Sequence, residues 1–168
     1  MASLTLSSLN FNQEASVNPP DLIKDLAQCM KDHGIKPELE AFDLGMLNYA
    51  RYLERKGLIS PPFYFNLILG NIACAQADLL SAGLMITQLP SASVWSLGGI
   101  GNWQLKMNLL AIIEGGGVRV GLEDNIYWDK NRTQLAENVD LIERIARLAG
   151  SVGRRVMAPK DCRVLLQL

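Results

Sequence analysis

The chain has a single histidine, His33, and its three cysteines, Cys29, Cys74 and Cys162, stand far apart with no CxxC among them. A usual zinc site needs paired His or Cys ligands, so these residues cannot assemble one alone. Scattered cysteines in odd number exclude a disulfide framework and suit a reducing cytosol, where each is expected to be a small buried apolar residue. Charge of one sign is also missing. The 16 Lys and Arg against 17 Asp and Glu leave a net charge of −1, with no basic field for nucleic acid or an anionic membrane. No apolar run approaches the roughly 18 to 20 residues that span a bilayer. The opening MASLTLSSLNFNQ has neither the positive stretch nor the long apolar core of a signal peptide. A cytoplasmic chain with no membrane partner and no nucleic-acid partner is expected.

What is present is enough for a core. Of 168 residues, 49% are hydrophobic and 20% charged, which fits one ordinary globular domain and excludes disorder. Short apolar runs alternate with longer helical patterns. Ala2 to Leu9 reads as a strand, and Asn18-Pro19-Pro20-Asp21 opens a helix that stops at His33-Gly34. Pro37 to Phe42 is the second strand, followed by a helix from Leu44 to Lys56 that ends at Gly57. The third strand is Pro62 to Leu69, and Gln76 to Leu89 contains its helix. Ser93 to Leu97 runs through Gly98-Gly99-Ile100-Gly101 into a helix from Trp103 to Glu114. The fifth strand is expected in Gly115 to Asn125, GGGVRVGLEDN, followed by a loop from Tyr127 to Arg132 and a helix with Val139, Ile142, Ile145, Ala146 and Ala149 on one face. Strand–helix units in succession predict a parallel α/β sheet. A doubly wound sheet and part of a (β/α)8 barrel both fit. Length favours the first for a complete protein, since whole barrels run to about 250 residues. Against it, the first strand begins at Met1 itself.

Strand alternation puts Val118, Val120 and Leu122 on one face of the fifth strand, and Arg119, Gly121 and Glu123 on the other. Arg119 and Glu123 must look into a polar space, because burying them in an apolar one costs several kcal/mol. Asp124 falls at the C-terminal end of the strand, where parallel α/β folds place their sites. An ion pair inside the sheet, with Asp124-Asn125 as turn residues, explains the same pattern. Glu38 and Glu40 repeat the logic in PELEAF: two acids on one strand face need a cation, an arginine or water. A solvent-facing strand edge accounts for them as well as a substrate or metal site does. Gly98-Gly99-Ile100-Gly101 is a strand-to-helix turn that could hold an anion, but it is not GxGxxG. His33, Tyr127, Trp128 and Trp103 are expected to be structural.

The segments MASLTLSSLNF, GIKPELEAFDLG, PPFYFNLILG, WSLGGIGNWQ and GGGVRVGLEDN, in this order, resemble the β-keto acid cleavage enzymes, and VRVGLEDN is the most specific of them. The resemblance runs through residues 1–168 and implies a partial (β/α)8 TIM barrel of about the last five βα units, as a single domain. It implies a zinc-dependent acyl transfer in which a β-keto acid and acetyl-CoA become acetoacetate and a new acyl-CoA. By the same resemblance Glu123 is the zinc ligand and Arg119 steadies developing negative charge. Asp124 moves protons or orients the arginine. Glu40, with Glu38 beside it, meets the substrate's amino end, and Thr5 adds a polar contact.

The departures are as informative. The family's His-x-His zinc ligands, an N-terminal glutamate and a serine-bearing strand have no counterpart here. Gly117 stands where relatives often carry histidine, and the loop from Asn71 to Gln76 is altered. The chain alone is therefore expected to be impaired, and to work as a homo-oligomer or with a partner fragment. Two other readings remain at this stage: a non-catalytic remnant or assembly module, and a complete small α/β domain with unrelated chemistry.

Overall fold

The computed structural model describes every residue from Met1 to Leu168. Strand β1 (Ala2–Thr5) leads into a short antiparallel hairpin of β2 (Leu9–Asn10) and β3 (Ala15–Ser16). Helices and strands then alternate: α1 (Pro20–Asp32), β4 (Pro37–Ala41), α2 (Leu44–Arg55), β5 (Phe63–Leu69), α3 (Leu79–Thr87), β6 (Ser93–Gly99), α4 (Gln104–Ile113) and β7 (Gly117–Val118). Two helices close the chain, α5 (Asn138–Ser151) and α6 (Pro159–Leu166). The helix boundaries have local chemical causes. Pro20 opens α1 where an N–H is dispensable, and Gly34 leaves it at a φ of 64°. Asp43 caps α2 by accepting from the Met46 N–H at 3.1 Å, and Asp78 caps α3 by accepting from the Ser81 N–H at 2.8 Å.

Five strands form one sheet in the order β1-β4-β5-β6-β7, every neighbour parallel. Each new strand is added beside the one before it, and the order never reverses. With right-handed crossovers this places the helices on one face only. A doubly wound sheet needs a reversal to put helices on both faces. The fold is therefore an arc of a (β/α)8 barrel. Its helix-covered face carries Leu4, Leu39, Phe65, Leu67 and Leu97, packed into one core with Met46, Leu47, Ala50, Met85 and Met107. The opposite face is polar. Register aligns Thr5 with Glu40, Asn66 and Ser96 in one row, and Ser3 with Glu38 and Tyr64 in the row before it.

Several expectations change. The strand expected to run to Leu9 stops at Thr5, although the Leu6 N–H still reaches the Glu40 carbonyl at 3.2 Å. Beyond it, Asn18 ties the chain back to Ser7, Ser8 and Ser16 and fixes the hairpin. The fifth strand keeps only Gly117–Val118, and α3 starts at its Asp78 cap, not at Gln76. Helix α6 was not expected, although Pro159 at its start and Asp161 in its first turn are ordinary helix signals. The cysteines are free but not buried: Cys29 is exposed, and Cys74 and Cys162 are half-buried. No helix is long and apolar enough to cross a membrane.

Candidate functional site

Arg119 follows β7 directly, and its N–H still pairs with the Leu97 carbonyl at 3.2 Å. Its side chain crosses the polar face of the sheet over Gly98. A Cβ at Gly98 would stand only 3.0 Å from the Arg119 Cβ, so the glycine keeps the path open. The pair Gly98-Gly99 therefore lies inside the end of β6, and Gly98 makes room for the Arg119 side chain.

Three carboxylates meet the guanidinium. Arg119 Nε donates to Asp124 Oδ2 at 2.8 Å and Nη2 to Asp124 Oδ1 at 3.3 Å. Nη1 donates to Glu40 Oε1 at 3.3 Å, and Nη2 lies 3.0 Å from Glu123 Oε2. Side-chain exposure is 17% for Arg119, 15% for Glu40, 4% for Asp124 and 84% for Glu123. Burial opposes the Arg119 charge, yet the Asp124 hydrogen bond and the three nearby carboxylates outweigh it and raise its pKa, so it stays protonated. Burial pushes the Asp124 carboxyl above its ordinary range, and Arg119 pulls it only partly back. One cation facing three acids leaves room for a further positive charge or a proton.

Glu123 arrives differently from the way strand alternation predicts. Pairing ends at Val118, and a turn brings Glu123 back to Arg119 from four residues on. The turn's backbone is held from outside. Gln104 donates to the Gly121 carbonyl, Asn138 accepts from the Leu122 N–H, and the Gly101 N–H reaches the Asp124 carbonyl. These groups hold the turn without the sheet.

The remaining expected residues are all on the polar face. Thr5 Oγ1 donates to Glu40 Oε2 at 2.7 Å, which steadies the carboxylate that faces Arg119. Glu38 does not reach Arg119: Ser3 Oγ donates to it at 2.9 Å and Asn66 Nδ2 at 2.6 Å. Sequence reasoning missed Asn66, Ser96 and Tyr64. The Ser96 hydroxyl donates to Asn66 Oδ1 at 3.0 Å and lies 2.9 Å from the Tyr64 hydroxyl, whose pKa burial raises. The signal was there, since Tyr64 and Asn66 sit two apart in an otherwise apolar strand. Two cavities open on Arg119. One of about 130 Å³ at the strand ends is lined by Thr5, Glu40, Glu123 and Asp124, with Phe11 of the hairpin as an apolar wall. The other, about 320 Å³, lies over Glu38, Tyr64 and Asn66.

The donor set does not fit a complete zinc site. No three His, Cys, Asp or Glu side chains are grouped to hold a metal. Glu123 and Asp124 are both engaged with Arg119. His33 is remote from them, at the exposed end of α1 with its Nδ1 2.8 Å from the Cys29 carbonyl.

Solved structures show the same architecture. The apo structure of ObcA superposes with a TM-score of 0.79 over 99% of this chain and 43% of its own, at 18% identity. In sequence, the chain is 38% identical to a 3-keto-5-aminohexanoate cleavage enzyme of Fusobacterium nucleatum, matching all of this chain and 61% of that relative. A 3-dehydrocarnitine:acetyl-CoA trimethylamine transferase of Rhizobium meliloti is 34% identical, again over all of this chain and 56% of its own length. The chain thus spans a little over half of the curated relatives it matches. The model of the beta-keto acid cleavage enzyme family matches residues 1–168 from end to end. Together with the arc of parallel strands and the Arg119 cluster at their C-terminal ends, that match places the chain in the β-keto acid cleavage enzyme family.

Proposed function

We propose that the chain carries the arginine–carboxylate part of an acyl-exchange site, in which a β-keto acid and acetyl-CoA give acetoacetate and a new acyl-CoA. The observation that carries this reading is the convergence of Glu40, Glu123 and Asp124 on Arg119 at the C-terminal end of the sheet. Breaking a C–C bond beside a ketone leaves an electron pair on carbon, which must be held as an enolate. Arg119 supplies a fixed positive charge for the enolate oxygen. Asp124, with its raised pKa, is placed to take and return the proton. Glu40, held by Thr5, keeps negative charge in excess beside Arg119, which suits a substrate with a cationic amino end. Glu38 lines the neighbouring cavity as a second polar wall.

Glu123 is the residue we assign as this chain's contribution to a zinc site whose histidines lie outside residues 1–168. This chain alone groups too few donors to hold the metal. The isolated chain, read as a cytoplasmic enzyme fragment, should therefore bind well under one zinc per molecule and turn over poorly with acetyl-CoA. Elemental zinc analysis and acetoacetate formation from acetyl-CoA plus a β-keto acid test this. Full zinc loading with robust turnover by the chain alone would overturn it.

A second reading, an assembly module that pairs with another barrel segment or a second copy, is favoured by the open sheet. Strand β1 pairs only with β4, and β7 only with β6, so two edges are unpaired. Free edges and apolar side chains such as Leu80 and Val164, each more than 70% exposed, promote association. Light scattering during size exclusion should give a mass above 18.5 kDa. A clean monomer with one cooperative melt would exclude an obligate partner.

A further inference from the structure

Helix α4 packs on the sheet through a face that carries two amides among its apolar residues. Gln104 and Asn108, one turn apart, are as buried as Met107 and Ala111 beside them. A buried amide is costly unless its polar atoms are paired, and Asn is also a poor helix former. Asn108 is paired on one side only. Its Nδ2 donates to the Arg119 carbonyl at 2.7 Å and to the Leu97 carbonyl at 3.2 Å, while its Oδ1 has no partner. Both facing groups are acceptors, so the NH2 end must point at them and the oxygen is left over. A leucine at this place would remove the orphan oxygen, so packing does not account for Asn108. The Arg119 carbonyl does.

That carbonyl is where the sheet runs out. The Arg119 N–H makes the last bond of the β6–β7 ladder, to the Leu97 carbonyl at 3.2 Å, and no backbone N–H reaches the Arg119 carbonyl. Asn108 takes the place of the missing strand bond. Four residues earlier, Gln104 Nε2 donates to the Gly121 carbonyl at 2.8 Å. The spacing has a geometric reason. Carbonyls two apart in an extended chain point the same way and lie roughly 6.6 Å from each other. Side chains at i and i+4 of a helix stand about 5–6 Å apart. Helix α4 therefore grips alternate carbonyls of the departing strand. The first grip fixes the backbone from which the guanidinium reaches Asp124, and the second fixes the turn that brings Asp124 back to it.

We propose that Asn108 and Gln104 are positioning residues of the site: they stand in for a strand and set the Arg119 guanidinium against Asp124. This rests on the acyl-exchange reading for what Arg119 does, and on the geometry alone for how it is held. The test is the Arg119 Nε–H resonance of the isotope-labelled whole chain, identified by its loss in Arg119→Lys. Asp124 accepts this proton at 2.8 Å and slows its exchange. In the apolar variants Asn108→Leu and Gln104→Met, which nearly keep the side-chain volume, the chain should melt close to the parent. The resonance should nevertheless shift and exchange about tenfold faster. A merely structural role does the reverse, lowering the melt and leaving the resonance where it was. An unmoved resonance in both variants would overturn the proposal, and if Asn108→Leu does not fold, an unmoved resonance in Gln104→Met overturns it alone. Kinetics are read in a fusion in which this chain replaces the matched part of the Fusobacterium nucleatum relative. There both variants should lower kcat by about tenfold or more with KM for acetyl-CoA unchanged. A moved resonance with kcat undiminished would sink the acyl-exchange role of Arg119 and leave the positioning assigned.

Discussion

Asp124 is held between two opposed effects, burial that resists its charge and Arg119 that rewards it. Burial is the larger, and the carboxyl of the folded chain lies above the ordinary value of 3.8. In that interval the folded state binds more protons than the unfolded one, so this group favours folding most below the unfolded pKa. Its contribution is lost as pH rises through the folded pKa. Thermal melts should therefore show the parent gaining on Asp124→Asn as pH falls from about 7 towards 4. A difference that moves the other way would mean that Arg119 dominates and that Asp124 is a permanent carboxylate. The pairing of Arg119 with acids was legible from residue type and strand parity. The route was not: parity put Glu123 on the Arg119 face, whereas the chain leaves the sheet at Val118 and a turn returns Glu123 to it. Which carboxylate is buried was also hidden, because the cavity that Asp124 lines is shared with Thr5, Phe11 and Glu40 from elements far along the chain.

Among the elements, the helices and strands from α1 to α4 were readable because each combines an apolar period with a local stop or start signal. Asp43, Asp78, Gly34 and the Pro19-Pro20 pair each act within one turn. What escaped notice depends on partners far along the chain. Hairpin β2–β3 is too short to show a period, and its Asn18 brace forms only once the turn exists. Arg154 is a similar case. Its guanidinium donates to the Ala111, Ile112 and Gly116 carbonyls at 3.3, 2.9 and 2.8 Å and to the Gly115 carbonyl at 3.2 Å, which closes the C-terminal end of α4 and sets the entry of β7. Charge-assisted bonds to orphan carbonyls at a helix end each contribute about 1 kcal/mol or more. Arg154→Ala should lower stability by about 1–3 kcal/mol in urea melts. Arg154→Lys should recover only part of the loss, since a lysine cannot span several carbonyls. An unaffected melt for Arg154→Ala would show that the α4–β7 corner holds without it.

The whole molecule is an arc with two characters. Its outer face is sealed by helices over Phe65, Leu67 and Leu97, and its inner face is a polar lattice from Ser3 to Ser96 that meets Arg119 at the strand ends. Composition and alternation could name α/β but could not choose between a wound sheet and a barrel arc, because that choice lies in strand order. The order β1-β4-β5-β6-β7 decides it. The lattice also accounts for why a chain so short carries polar residues inside its strands: they belong to a barrel interior. The most direct test of the central claim is acetoacetate formation by a fusion in which this chain replaces the matched 61% of the Fusobacterium nucleatum relative. The fusion should turn over a β-keto acid with acetyl-CoA, and Arg119→Ala within it should lower kcat by about 100-fold or more. Turnover that survives Arg119→Ala undiminished would contradict the claim that the Arg119 cluster does the chemistry.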